Sequence, residues 1–176
     1  MSTRTFGPIR QIAWVVRDLE ASVAHWRRVS GLGPWTMFRN VAMAGQLDGS
    51  PAKVRMHVAL GYQGEMEIEL IEDLGAGASP YRGADGEPLV GMHHVGWFSD
   101  DVLADVARGR QRGMQVKFEA ANEVTRVAYL EDPREPKLLF EFIEMNAAMR
   151  AGYEARLAAS RTWNGQDPLQ VIDLGG

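Results

Sequence analysis

The chain contains no cysteine. That excludes disulfides, thiolate nucleophiles and zinc–thiolate sites together, and makes a reducing cytoplasm the default expectation for its location. No apolar run approaches the roughly 18 residues that a membrane-crossing helix needs, and Met1–Pro8 lacks the apolar core of a signal peptide, so no membrane partner is expected. There is no excess of positive charge either. Lys and Arg number 19 against 23 Asp and Glu, a formal net charge of −4, which argues against nucleic acid as a partner. The brief basic cluster Arg108, Arg110 and Arg112 reads as a solvated helix face. What is present is an ordinary globular composition over 176 residues, 45% hydrophobic and 24% charged, enough for one domain or two small modules with a core.

The hydrophobic periodicity has an order that occurs twice. Ile9–Val16 alternates as a strand, Asp18 stands where a helix N-cap is wanted, and Val23, Trp26 and Val29 form the apolar stripe of a helix ended by Gly31-Leu-Gly-Pro34. Strands are expected at about Trp35–Arg39, Val54–Tyr62 and Met66–Ile71, with a Gly-rich polar loop between the first two. Residues 73–91, rich in Gly, Ala, Pro and Asp, read as a linker. The order then restarts: a strand over Met92–Phe98, a helix capped by Asp100 or Asp101 and ended at Gly113, and strands near Met114–Phe118, Thr125–Leu130 and Leu138–Ile143. Gln11-Ile-Ala-Trp-Val-Val-Arg-Asp18 and His94-Val-Gly-Trp-Phe-Ser-Asp-Asp101 lie 83 positions apart, which aligns Gln11 with His94 and Trp14 with Trp97. A repeat of this length implies two similar halves. The expected organisation is α+β, two tandem βαβββ modules (1–74 and 92–144) around a linker (75–91), forming a cupped mixed sheet. A C-terminal helix and tail (145–176) follow, the helix covering the sheet end or another subunit through Met149, Tyr153 and Leu157.

Strand alternation sorts side chains into two faces. The rows Ile12/Trp14/Val16, Met66/Ile68/Leu70, Val95/Trp97 and Leu138/Phe140/Phe142 are apolar. Opposite them stand Gln11, then Glu65, Glu67 and Glu69, then His94, then Glu141 between Leu139 and Ile143. A carboxylate flanked by apolar neighbours is costly unless water or a cation meets it. Two carboxylates, an imidazole and an amide oxygen converging from the central strands would suit a divalent ion with open positions, such as Mg, Mn, Fe, Co, Ni or Zn. His93 is one residue out of step with His94 and falls on the apolar face. Trp14, Trp26 and Trp97 read as core, and His25 as a helix-face residue.

This pattern, strand–Asp–helix followed by a Glu-bearing strand and repeated with His and Glu, resembles the vicinal oxygen chelate superfamily over Ile9–Glu144. That superfamily comprises glyoxalase I, methylmalonyl-CoA epimerase, extradiol dioxygenases and the fosfomycin and bleomycin resistance proteins. The resemblance implies four metal ligands: Gln11, as in glyoxalase I, Glu69 in Ile68-Glu-Leu-Ile71, His94 in His93-His-Val-Gly96, and Glu141 in Phe140-Glu-Phe-Ile143. A register error of two residues would hand the role of Glu69 to Glu67. The implied activity is that of a metal-dependent isomerase, epimerase or lyase acting through an enolate or enediolate of a small oxygen-chelating substrate, with Glu141 as base and Glu69 as the alternative. Gln11 departs from the two-histidine-one-carboxylate set of iron dioxygenases. A resistance-type protein that binds a small molecule without catalysis is the rival reading, and a homodimer is expected. His57, Phe38 and Met56 are candidate substrate contacts.

Overall fold

The structure is a computed structural model and describes residues 5–175. Strand–helix–three strands occurs twice. The first set is β1 (Gln11–Val15), α1 (Leu19–Ser30), β2 (Trp35–Leu47), β3 (Ser50–Gln63) and β4 (Met66–Asp73). The second is β5 (Gly91–Ser99), α2 (Val102–Gln111), β6 (Gln115–Ala121), β7 (Arg126–Glu131) and β8 (Leu139–Glu144). A third helix, α3 (Ala147–Thr162), and a short strand, β9 (Leu169–Asp173), complete the chain.

Local chemistry sets the helix boundaries. The Asp18 carboxylate accepts from the Ala21 N–H at 2.8 Å and that of Asp101 from the Ala104 N–H at 3.0 Å, each relieving an unpaired donor of the first turn. Gly31 closes α1 in the left-handed region, φ 70°. The stretch expected as a loop after Arg39 is instead a long β2–β3 hairpin. Its turn is Asp48-Gly49, both residues at positive φ, a two-residue connection whose twist matches the strands it joins. Met43, Ala52 and Val54 are buried along that hairpin, and this burial outweighs the polar residues between them.

The sheet order is β3-β4-β1-β5-β8-β7-β6-β2-β9, and β2 also pairs with β3. Eight strands therefore close into a ring. The seam falls on β2, which pairs with β3 along most of its length and with β6 through Ala44–Leu47. The halves join where β1 and β5 run antiparallel. Outside the ring, α1 packs Leu19 and Val23 on Trp35, Ile68 and Leu70, with Trp14 and Trp26 beside them. On the other half α2 packs Val102 and Val106 on Leu130 and Phe142, with Trp97 at the edge. The ring's interior faces line a cup, and α3 lays Met149 and Tyr153 against that inner cluster. The tail is not irregular throughout, since β9 adds in parallel to the start of β2.

Closure at the seam requires a residue without a side chain at Gly45. A Cβ there would lie 1.8 Å from the Glu119 carbonyl oxygen of β6, a backbone atom that cannot step aside. Gly45→Val is expected to destabilise the protein by about 1–3 kcal/mol, the usual cost of overpacking. Urea unfolding would measure it, and amide exchange would rise first in β6.

Candidate metal centre

Four adjacent strands, β4-β1-β5-β8, build the site, and their register explains how it converges. Glu69 lies beside Ala13, which lies beside His94. Gln11 lies beside Gly96, which lies beside Glu141. Each pair of functional side chains thus flanks a small residue on the strand between them, leaving room to lean together. A Cβ on Gly96 would stand 3.0 Å from Gln11 Oε1 and 3.4 Å from Glu141 Oε2. Ala13 and Gly96 occupy equivalent places in the repeat, a signal in the sequence that the search for polar residues passes over.

The four side chains expected as ligands meet at His94 Nε2. Glu141 Oε2 is 2.9 Å from it, Gln11 Oε1 3.2 Å and Glu69 Oε2 3.3 Å. Candidate ligand atoms of Glu69, His94 and Glu141 all lie within 4.8 Å of one another. Among the described residues the buried Glu141 Oε2 has no well-aligned hydrogen-bond donor, only the His94 Nε2 contact, a state whose desolvation cost a cation would offset. The donor set, two carboxylate oxygens, an imidazole nitrogen and an amide oxygen, suits a divalent ion of intermediate hardness. All four come from one chain.

Glu67 stands in the same row but does a different job. Its Oε1 accepts from Gln11 Nε2 at 2.9 Å, which turns the amide oxygen of Gln11 toward His94. Tyr62 Oη donates to its other oxygen, and Arg156 from α3 donates to Tyr62 Oη at 2.9 Å. Tyr62 and Arg156 were not singled out in the sequence, because neither carries a local motif and Arg156 arrives from 89 residues beyond Glu67. Glu65 is exposed and ion-paired with Arg10.

His93 departs from its expected place on the apolar face. The β1–β5 register passes from Ala13↔His94 to Trp14↔Met92, a bulge that lets both histidines turn inward. His93 is buried, with Nδ1 2.9 Å from His94 Nδ1 and Nε2 2.8 Å from the Pro80 carbonyl oxygen. The segment read as a linker also contributes more than a connection. Tyr81 within it is fully buried and shares a 2.9 Å hydrogen bond with Tyr129 Oη, and the Tyr129 ring lies 4.9 Å from that of His94.

The carboxylates open on a cavity of 330 Å³ whose other walls are mainly apolar, among them Phe38, Met43, Met56, Phe98, Val127, Ile143 and Met149. Phe38 and Met56 are therefore at the cavity wall. His57 is not: alternation along β3 turns it away from the cavity that Met56 and Val58 line, and its Nδ1 accepts the Asn40 N–H. Arg156 is the one Lys, Arg or His side chain lining the cavity among the described residues.

The sequence model of the Glyoxalase/Bleomycin resistance protein/Dioxygenase superfamily matches residues 10–129, a stretch that holds Gln11, Glu69 and His94 and stops short of Glu141. None of the curated proteins compared gives a significant match. Among solved structures, methylmalonyl-CoA epimerase from Mycobacterium tuberculosis superposes with a TM-score of 0.58 at 14% identity, over 86% of this chain and 96% of its own. A hypothetical protein from Bacillus halodurans gives 0.54 at 18%, over 79% and 94%. Methylmalonyl-CoA epimerase from Streptomyces coelicolor in complex with 2-nitronate-propionyl-CoA gives 0.51 at 21%, over 81% and 97%. At these identities the likeness is one of fold.

Without an added cation, the cluster's charge is set by protons. Burial pushes the Glu69 carboxyl up from 4.5 to about 7. Burial opposes charge on His94, but Glu141 and Glu69 outweigh it and hold the imidazolium up to about 9, from 6.5. The folded state therefore binds more protons than the unfolded chain, and stability falls as pH rises. His94 contributes fully below 6.5 and loses its contribution as pH passes 9. The metal-free protein is expected to lose thermal stability from about pH 4.5 to 7 through Glu69 and from 6.5 to 9 through His94, seen by scanning calorimetry, and His94→Gln should flatten the upper part of that slope.

Proposed function

The chain belongs to the glyoxalase/bleomycin resistance protein/dioxygenase superfamily, and from that premise we propose that it is a metal-dependent isomerase, epimerase or lyase. Its substrate is a small molecule with two chelating oxygens and an apolar body, and the reaction passes through an enolate or enediolate. The observation that carries this reading is the meeting of Gln11, Glu69 and Glu141 around His94 Nε2 in the wall of an apolar cavity. Those four residues would hold one divalent ion. When bound, the ion supplies Lewis acidity toward a substrate carbonyl and so favours loss of the proton on the adjacent carbon.

The chain's own residues do the rest. Glu69 on β4 and Glu141 on β8 approach from opposite sides of the four-strand set. Two carboxylates so placed can take a proton at one face of a carbon and return one at the other, as epimerisation requires. Either alone can shuttle a proton between neighbouring atoms, as isomerisation requires. Met149 and Tyr153 of α3 lie over the cavity, excluding water and strengthening the electrostatics inside. Arg156 is engaged by Tyr62 and Glu67, so among the described residues the walls offer no free cation to a charged substrate body. Gln11, in place of a second histidine, argues against the iron-dioxygenase ligand set.

The test begins with the metal. After chelator dialysis, calorimetric titration with Co²⁺, Mn²⁺ and Zn²⁺ should show one site per chain, and binding should weaken as pH falls from about 9, where His94 takes up its proton, and further below about 7, where Glu69 does. The loaded protein is then incubated in D₂O with apolar α-hydroxy ketones and 2-substituted thioesters, and deuterium incorporation is read by mass spectrometry. Exchange should occur and fall about 10²-fold or more in Glu141→Gln. Retained ligand binding after chelation, with no exchange in any substrate, would instead identify a binding protein.

A further inference from the structure

The two adjacent histidines form a chain of hydrogen bonds whose direction the backbone dictates. A carbonyl oxygen only accepts, so at 2.8 Å from the Pro80 oxygen the His93 Nε2 carries the hydrogen. The His93 ring is packed between Tyr81 and Tyr129, and no carboxylate is ion-paired with it among the described residues. An imidazolium there would be buried without an anion and directly against a second imidazole, so the ring is neutral and its Nδ1 is a bare acceptor. The contact at 2.9 Å to His94 Nδ1 then runs one way: His94 Nδ1–H donates to His93 Nδ1. That leaves Nε2 as the His94 nitrogen facing Gln11, Glu69 and Glu141.

We propose that His93, anchored by the Pro80 carbonyl, is a positioning residue that fixes the ring orientation and tautomer of His94, so that Nε2 presents its lone pair to the metal. This rests on the metal-site reading above and extends it from the four ligands to the residue that orients one of them. It also assigns a task to two features that the ligand set leaves unexplained. The bulge at Met92–His93 brings the second imidazole inward. The segment between β4 and β5 folds back to place the Pro80 oxygen against it. Orientation of a histidine ligand through its far nitrogen usually relies on a carboxylate or a backbone carbonyl; here a neutral histidine is interposed between the carbonyl and the ligand.

Two measurements on the full chain test it. Two-bond ¹H–¹⁵N correlation spectra of the metal-free wild-type protein at neutral pH should show His93 as the neutral tautomer protonated at Nε2 and His94 carrying a proton at Nδ1 beside the Nε2 proton that faces the carboxylates. A His93 protonated at Nδ1, or doubly protonated at neutral pH, overturns the proposal. In parallel, Co²⁺ titration of His93→Phe should give affinity about 10–100-fold weaker than wild type. His93→Asn, whose amide oxygen branches from Cγ as Nδ1 does, should recover most of the loss. Wild-type affinity in His93→Phe, or equal weakness in the two variants with their melting temperatures matched, overturns it as well. Should the wild-type protein bind no Co²⁺, the metal reading fails on that result alone, while the spectra still decide whether His93 Nδ1 is the acceptor that holds the His94 Nδ1–H. Should His93→Phe not fold, the spectra and the Asn variant decide.

Discussion

Three carboxylates, Glu67, Glu69 and Glu141, point into one closed ring of strands, and the cost of keeping their charge there organises the site. In water each would be solvated freely; inside the cup each needs a donor or a cation. The protein meets this need unequally. Glu67 receives Gln11, Tyr62 and, through Tyr62, Arg156, and is thereby satisfied by the protein itself. Glu69 and Glu141 share one imidazole, and among the described residues no other donor reaches Glu141 Oε2. The satisfied carboxylate has its donors within the protein, and on the proposed reading the two under-satisfied ones mark where a cation would be held. Burial alone could not draw this distinction, because Glu67 and Glu141 are equally buried.

Strand geometry makes that concentration of charge possible. Neighbouring strands are about 4.8 Å apart, too far for four short side chains to meet unless some of the intervening positions are small. Ala13 and Gly96 provide this at equivalent points of the two halves. The duplication thus supplies a symmetric pair of gaps as well as a symmetric pair of ligands. Ring closure at β2 and the cover of α3 then keep bulk water from the centre, which raises the strength of every ionic contact within it.

Much of this was legible in the sequence, for identifiable reasons. Alternation is strict in β1, β4 and β8, so the inward residues Gln11, Glu69 and Glu141 follow from period two. The helix caps are chemical signals, Asp18 with one reading and the second narrowed to Asp100 or Asp101, of which the structure uses Asp101. What escaped was whatever broke the period or came from far along the chain. The bulge in β5 moved His93 from the apolar face to the inside. The Asp48-Gly49 turn was read within a polar loop, because the flanking residues lack the β-branched density of a strand. Arg156 and Tyr81 reach the site through tertiary packing, which leaves no periodic trace. Glu67 and Glu69 share a row, and periodicity cannot separate them; the hydrogen bond from Gln11 to Glu67 does.

On the proposed reading, a positive charge at the cluster's centre would be common to the metal-free and the metal-bound protein. In the metal-free state it is the proton that Glu141 and Glu69 hold on His94; with a metal bound it is the ion itself. The same Nε2 would serve both, so a proton and a metal would compete for one position. A neutral amide at Gln11 suits this exchange. A third carboxylate there would leave the metal-free site with more negative charge than one imidazolium can balance. A second imidazole could itself take a proton from the carboxylates, and metal binding would then have to displace two cations instead of one. The four proposed ligands are therefore suited to a site in which the His94 proton would stand in for the ion when none is bound.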